Sequence, residues 1–140
     1  MKKTQDILHN CLYFTANSIA RKITRMAEEE FRITGLSPSH GFILMLVNDT
    51  PGIGPKKLCE GLNLAPSTIT RFVDTLINKG YATKQVQGKT AAIFLTQQGE
   101  ALLEPISIAW KKLYDRYSDI LGEENGINLT ARLDAVSKIL

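Results

Sequence analysis

The sequence predicts a mainly α-helical protein with one small β-hairpin, an α+β fold built on a winged helix-turn-helix. Three observations support this prediction. Residues 55–62 and 64–80 read as two short helices joined by a tight turn, which is the sequence form of a helix-turn-helix. Strand-like segments at 81–86 and 90–95 follow, with Gln87-Gly88-Lys89 as the turn between them. Long segments of helical periodicity flank this central region on both sides.

The segment from Leu64 to Gly80 is predicted to be a helix with two chemically different faces. Pro66 suits its first turn, where the missing N–H has no partner within the helix. One face is apolar at helical spacing and consists of Ile69, Phe72, Val73 and Leu76. The opposite face is small and polar and consists of Ser67, Thr70, Arg71 and Asp74. The polar face carries few bulky side chains, so this helix could approach another surface closely.

Positive charge is concentrated in this central region. The whole chain has a formal net charge of +3, whereas residues 54–89 alone have a net charge of +4. The six cations of this region are Lys56, Lys57, Arg71, Lys79, Lys84 and Lys89, and its two carboxylates are Glu60 and Asp74. The second helix of a helix-turn-helix enters the major groove of DNA, so the charge lies where binding to double-stranded DNA needs it.

The flanking helices are predicted to form a homodimer. Residues 4–31 read as one helix of about 28 residues, which is long for a domain of this size. Residues 97–121 read as a second long helix, which Pro105 either kinks or divides into a short first part and the rest. A loop at 122–126 and a last amphipathic helix at 128–140 complete the chain. More than half of the circumference of the second long helix is apolar, which favours burial on two sides by a partner.

The remaining elements follow from local signals. Ser37 is placed as an N-cap and Pro38 as the first residue of a helix whose apolar continuation, 41–48, is predicted to be central in the core. Residues 49–52 form a turn, and Thr96 caps the helix that follows the second strand. We expect a single domain over 1–140, with dimerisation helices at 1–34 and 97–140 and a DNA-binding region at 35–96.

Composition restricts the possible function classes. No apolar run approaches the roughly 20 residues that span a bilayer, so a cytoplasmic protein without membrane contact is expected. Two cysteines, Cys11 and Cys59, are too few for a disulfide framework or a metal site. No candidate nucleophile has a general base at a sequence spacing typical of a catalytic site, and no glycine-rich phosphate-binding loop follows a strand. The sequence therefore predicts neither an enzyme nor a cofactor or metal.

Three blocks of the sequence resemble the MarR family of bacterial winged-helix transcription regulators. They are GLSPSHGFILMLV at 35–47, LNLAPSTITRFVDTLINKGYATK at 62–84 and LTQQGEALL at 95–103, in the order and spacing of that family. The resemblance implies an obligate homodimer that binds a pseudo-palindromic operator and usually represses transcription. It also implies release from DNA by a small-molecule ligand, aromatic or anionic, or by oxidation of a thiol.

One departure from the family concerns the hairpin. The family wing commonly carries an Asp-x-Arg pattern with further arginines, whereas this chain has KQVQGKTAAIF in its place. Lys89 and Lys84 are the cations that remain near the tip, so the usual wing arginine has no counterpart here. The wing is therefore expected to add attraction for phosphate, with sequence preference resting on the helix.

Arg71 is the leading candidate for contact with DNA, either bidentate to guanine or with a phosphate; the alternative is a solvated cation paired with Asp74. Ser67, Thr68 and Thr70 lie near the helix start, where hydroxyls and N–H groups suit a phosphate or a base edge. Thr68 has packing or capping as its alternative. The supporting candidates are Pro66, which could touch a thymine methyl, Lys56 and Lys57, which would meet phosphates, and Lys84 and Lys89 of the hairpin.

Two other function classes remain open. Cys11 lies about where the peroxide-sensing branch of the family places its reactive cysteine, so a redox-sensing repressor is one alternative to a buried structural thiol. A winged helix used as a protein-interaction module is the other. His9 and His40 are too isolated for a metal site. The operator, the effector and the sign of regulation do not follow from the sequence.

Overall fold

The computed structural model describes residues 3–140 and confirms a mainly helical fold with one antiparallel β-hairpin. Met1 and Lys2, the start of the predicted dimerisation segment 1–34, lie outside the described residues. The elements in chain order are α1 (Thr4–His9), α2 (Leu12–Phe31), a 3₁₀ turn (Arg32–Thr34), α3 (Pro38–Asp49), α4 (Pro55–Leu62), α5 (Pro66–Asn78), β1 (Ala82–Gln87), β2 (Thr90–Leu95), α6 (Gln97–Ala101), α7 (Leu103–Leu121) and α8 (Glu123–Ile139). Among these helices, none within residues 3–140 is both long and apolar enough to cross a membrane.

The chain divides into two compact units. The central unit is Phe31–Ile108 and contains α3, α4, α5, the hairpin and α6. The terminal unit consists of the chain up to Glu30 and of Ala109–Leu140. The role of each unit in the predicted single domain stays a prediction.

The core of the central unit is formed by one apolar face from each of its elements. α3 lies deep in this core, as its composition predicted, because Gly41 and three apolar side chains of two successive turns are buried. α5 contributes the apolar stripe predicted from its periodicity, except that Phe72 is only half-buried. The fully buried side chains of this core are Phe31, Ile43, Leu44, Val47, Leu58, Ile69, Leu76, Ile93 and Ile106.

Local signals set the helix starts and ends where the sequence predicts them. The Ser37 hydroxyl accepts the backbone N–H of His40, so it caps α3. Pro55 and Pro66 occupy the first helical positions of α4 and α5. α4 ends at Asn63, whose φ of 52° is the left-handed conformation that ends a helix and redirects the chain into α5. These signals produce the predicted helix-turn-helix.

The hairpin pairs β1 with β2 from Ala82 opposite Leu95 to Gln87 opposite Thr90. The connection is therefore a two-residue turn, Gly88-Lys89, one residue shorter than predicted. Gly88 has a φ of 60°, which this turn requires. Ile53 forms an isolated antiparallel bridge with Ile93, so a residue just before α4 lies beside β2 as a third strand position.

The prediction of one helix over residues 4–31 is wrong, because the structure divides it at Asn10 and Cys11. The backbone N–H groups of Asn10 and Cys11 donate to Ile7 and Leu8, three residues back rather than four. The Asn10 side-chain amide meanwhile donates to the Asp6 carbonyl at 2.7 Å. Asn17 makes the same kind of bond to the Tyr13 carbonyl within the unbroken α2, which begins anew at Leu12.

The second long helix is also divided, as one of the two expectations for Pro105 allowed. α6 ends at Ala101, and Pro105 lies in the first turn of α7, where its missing N–H interrupts no helical bond. The predicted loop at 122–126 is wrong. Gly122 alone makes the turn, with a φ of 87°, and its carbonyl accepts the N–H of Gly126 within α8.

Candidate nucleic-acid interface

The N-terminal end of α5 is open. Its N-cap is Ala65, which has no side-chain acceptor for the helix N–H groups, and the first backbone bond in the helix runs from the Ile69 N–H to the Ala65 carbonyl. The N–H groups before Ile69 therefore lack a partner within the helix. Ser67 is exposed there, and Thr68 is half-buried. Such an end, with its positive dipole, favours a phosphate or a carbonyl edge of a base.

Two hydroxyls on the exposed face of α5 differ in how free they are. The Thr70 hydroxyl donates to the Pro66 carbonyl at 3.0 Å and keeps only its lone pairs for a ligand. Ser67 makes no side-chain hydrogen bond within residues 3–140, so its hydroxyl can both donate and accept. Pro66 is exposed at the same end, with its ring next to Ser67 along the chain. Ser67 is therefore the more versatile polar group of this face.

Arg71 is exposed on the next turn of α5. Among the ion pairs of residues 3–140, none joins Arg71 to Asp74, and the guanidinium carbon instead lies 5.4 Å from the centroid of the Phe72 ring. A guanidinium over an aromatic face is attracted by the ring and leaves its N–H donors uncommitted. Arg71 can therefore present two parallel donors to an acceptor outside the chain.

Lys56 and Lys57 lie in the first turn of α4 and are both exposed. This position is electrostatically unfavourable, since the N-terminal end of a helix carries partial positive charge and stabilises anions. α4 has no acidic residue in its first turn to offset them. The helix dipole thus disfavours the two lysines, whereas a bound external anion would stabilise them.

The lysines of the hairpin lie at two different places. Lys89 is in the turn and exposed, at the tip as predicted. Lys84 pairs with Ile93 in the middle of the hairpin, away from the tip. It lines a small cavity of about 50 Å³ together with Thr70 and Asp74 of α5. The structure thus brings Lys84 beside the polar face of α5 and separates it from Lys89.

His40 is a neighbour of this face that sequence reasoning left aside. Its imidazole contacts the Phe72 ring with 4.4 Å between ring centroids, and the Ser37 hydroxyl bonds to its Nδ1 atom. Burial, followed by the charges of Lys79 and Arg71, lowers the pKa of His40 below its ordinary value of 6.5. No sequence signal places a residue of α3 against α5, since the contact depends on tertiary packing.

Cys11 and Cys59 are free thiols, and both are half-buried. Cys11 lies in the break between α1 and α2, and its carbonyl accepts the hydroxyl of Thr15. Within residues 3–140 no group of three or more His, Cys, Asp or Glu side chains is arranged to hold a metal ion. The structure therefore places Cys11 at the break between the first two helices.

Comparison with known proteins places this interface in a family. The MarR family model matches residues 36–86, which contain α3, α4, α5 and nearly all of β1. Residues 36–86 therefore match the sequence pattern of the MarR family. The sequence-based resemblance is thereby confirmed.

Individual relatives resemble the chain over most of its length. The HTH-type transcriptional repressor MdtR of Bacillus subtilis is 23% identical over 137 residues, which cover 94% of this chain and 88% of MdtR. The transcriptional repressor CouR bound to p-coumaroyl-CoA superposes with a TM-score of 0.87 at 18% identity, over 100% of this chain and 99% of CouR. CouR bound to a 23-mer DNA duplex has a TM-score of 0.84 at 17% identity, over 98% and 99%. At these identities the solved structures establish the fold.

Proposed function

We propose that this protein is a homodimeric, DNA-binding transcription regulator that represses from a pseudo-palindromic operator and is released by a small-molecule effector. The observation that carries the DNA-binding part is the open N-terminal end of α5 beside an exposed, unpaired Arg71. Repression is supported by the names of MdtR and CouR, which are both repressors.

In this proposal the residues of α5 read the bases. Arg71 donates two parallel bonds to a guanine, or to a phosphate, and Ser67 and Thr70 meet a base edge or a phosphate near the helix end. Pro66 approaches a thymine methyl, and Thr68 supports the helix from its half-buried position. The polar face can approach the groove closely because it carries one long side chain among short ones.

The lysines supply affinity without sequence preference. Lys56 and Lys57 project at the start of α4, where a phosphate removes their unfavourable interaction with the helix dipole. Lys89 at the hairpin tip and Lys84 at its middle add further phosphate contacts. Each phosphate neutralised releases a counterion, so these residues make binding dependent on salt.

The homodimer is supported by apolar surface on the terminal unit. α2, α7 and α8 enclose an open cavity of about 380 Å³, and its lining includes Ala16, Ile19, Tyr117, Leu129 and Leu133. Large apolar side chains remain exposed along α8, among them Ile127 at 52% and Ile139 at 83%. A contiguous apolar surface of this kind marks an interface. A second copy is the partner that the family resemblance implies.

The effector is proposed to be a small aromatic or anionic molecule. CouR is solved with p-coumaroyl-CoA, a ligand that is both aromatic and anionic. A panel of such compounds should lower operator affinity by at least tenfold for one member, measured by fluorescence anisotropy. A broad panel without any change in affinity counts against effector control and leaves the DNA-binding part intact.

The deciding experiment selects DNA fragments from a random library on the purified full chain at two salt concentrations. We expect an inverted repeat with half-sites about one helical turn apart. Arg71→Ala should lose about 1–3 kcal/mol of discrimination at one position of each half-site. Lys57→Ala is the matched control, since a lost phosphate contact weakens all sequences alike and lowers the salt slope by about 0.9 per site.

Recovery of DNA without any sequence preference would refute the proposed reading by α5. The basic region would then be a phosphate patch, and the protein-interaction module would become the leading function.

A further inference from the structure

Three side chains form a continuous contact from the start of α3 to the exposed face of α5. The His40 imidazole and the Phe72 ring lie with their centroids 4.4 Å apart and their planes at 37°. The Arg71 guanidinium carbon lies 5.4 Å from the centroid of the same Phe72 ring. The single ring of Phe72 therefore contacts both the imidazole and the arginine that is proposed to read DNA.

The Ser37 hydroxyl holds the imidazole in one orientation. The Ser37 hydroxyl oxygen accepts the backbone N–H of His40, so its hydrogen is free to donate to Nδ1. Nδ1 is then an acceptor, and the proton of the neutral ring is on Nε2. Nε2 is buried and has no hydrogen-bond partner within residues 3–140. Burial favours the neutral ring here, because the charged ring loses more hydration energy than the neutral one.

We infer that His40 is a positioning residue for Arg71: the neutral imidazole, held by Ser37, packs against Phe72 and so keeps the guanidinium in place for DNA. This inference rests on the proposed DNA-binding function of α5 and assigns part of its specificity to a residue that does not itself touch DNA. It also makes sequence preference depend on pH, because a proton on His40 changes the support of Arg71.

The charges around His40 give the direction of this dependence. The charged groups that act on the imidazole within residues 3–140 are Lys79 and Arg71, and both are cations. Protonation therefore adds a like charge beside Arg71, and it forces the Ser37 hydroxyl to change from donor to acceptor at Nδ1. Burial and these two charges lower the pKa of His40. The support is complete at neutral pH and is lost as the pH falls below the ordinary range of histidine.

Nuclear magnetic resonance on the free full chain tests the coupling without DNA. We expect the Arg71 Nε–H signal to shift between pH 7.5 and 5.0 with the same midpoint as the His40 ring signals, and that midpoint to lie below 6.5. The phenyl ring of His40→Phe retains the contact with Phe72 but has no nitrogen that can be protonated. This substitution should therefore abolish the pH-dependent shift of the Arg71 signal. An Arg71 chemical shift that stays constant while His40 titrates would overturn the inference.

DNA binding tests the consequence. The probes are the duplex selected by the wild-type chain at pH 7.5 and a random duplex of equal length, and the readout is the ratio of the two affinities. His40→Ala and Phe72→Leu should each lower this ratio by about 2- to 5-fold at pH 7.5, the strength of an exposed cation–π contact. His40→Phe should retain the wild-type ratio.

The pH series separates positioning from folding. Going from pH 7.5 to 5.0 should lower the ratio by about 2- to 5-fold in the wild type and not at all in His40→Phe. The chain has two histidines, so His9→Asn is the matched control and should behave as the wild type. An equal fall in His40→Phe would overturn the inference. A selection without sequence preference would defeat the proposed function, and the resonance experiment would still decide the coupling.

Discussion

Gly99 lies where the end of α5, the start of the hairpin and the start of α6 meet. A Cβ atom added at Gly99 would lie 2.0 Å from the carbonyl oxygen of Tyr81 and 3.0 Å from its carbonyl carbon. That oxygen already accepts the N–H of Thr96 at 3.1 Å. The Thr96 hydroxyl in turn accepts the Gly99 N–H at 3.1 Å and donates to the Gly80 carbonyl at 2.6 Å. Gly99→Ala therefore forces backbone apart at a crowded junction.

The magnitude follows from that geometry. The Tyr81 oxygen must retreat by about 1 Å to reach the shortest separation that a Cβ atom tolerates. Overpacking of this kind costs about 1–3 kcal/mol, and the two strained bonds of Thr96 cost about 0.5–1.5 kcal/mol each. The higher helix propensity of alanine offsets about 1 kcal/mol of this cost. The net effect of Gly99→Ala is a loss of about 1–5 kcal/mol in the free energy of unfolding.

Urea unfolding of the full chain measures this loss, with every variant at the same protein concentration because the stability of the proposed dimer depends on it. Gly61→Ala is the matched control in α4. Its Cβ would meet a methyl group of Leu46 at 3.1 Å, and the end of a flexible side chain can rotate away. Gly61→Ala should lie within about 1 kcal/mol of the wild type. A Gly99→Ala variant as stable as the wild type would refute the reasoning.

Three further outcomes are expected. The folded chain holds the pKa of His40 below 6.5, so the unfolded chain binds more protons at this residue. The contribution of His40 to stability is therefore complete above pH 6.5 and is lost as the pH falls through the lower folded-state pKa. The melting temperature should decrease less steeply between pH 7.5 and 5.0 for His40→Phe than for the wild type. Leu133→Glu, which puts a charge into the apolar cavity of the terminal unit, should shift sedimentation from dimer to monomer, whereas Asn128→Glu on the same helix should not. The thiol alternative requires that Cys11→Ser stay on DNA in peroxide; release of that variant by oxidant would exclude Cys11 as the sensor.

The parts of the fold that the sequence predicted are those with causes within four residues along the chain. Ser37 caps its own helix, and Pro55 and Pro66 each begin one, so these boundaries need no tertiary information. The break at Asn10 is not one of these, since its amide bonds to the Asp6 carbonyl just as Asn17 bonds to the Tyr13 carbonyl within the unbroken α2. Asparagine within a run of helical periodicity is compatible with either outcome, so the pattern favoured a continuous helix.

The parts that could not be predicted depend on residues distant in sequence. The Ile53 bridge joins Ile93 across 40 positions, and no pattern in either segment indicates it. The exposed face of α5 was predictable because helical periodicity alone separates Ser67 and Arg71 from the apolar stripe. The contact of His40 with Phe72 was not, because periodicity assigned Phe72 to the core while packing leaves its ring half-exposed beside α3.

The Ile53 bridge has a consequence for engineering new DNA specificities. Gly52 donates to the Ile93 carbonyl at 2.8 Å and Ile93 donates to the Ile53 carbonyl at 3.1 Å, so the middle of the hairpin is anchored to the segment that leads into α4. Beyond this anchor, residues 86–90 are exposed, and a Cβ at Gly88 would meet nothing within 4 Å. The tip can therefore be replaced. Longer or more basic segments can be inserted at 86–90 while the anchored part of the hairpin and α5 keep their positions. A library of such segments on one unchanged α5 would extend the footprint along DNA independently of the bases that the helix reads.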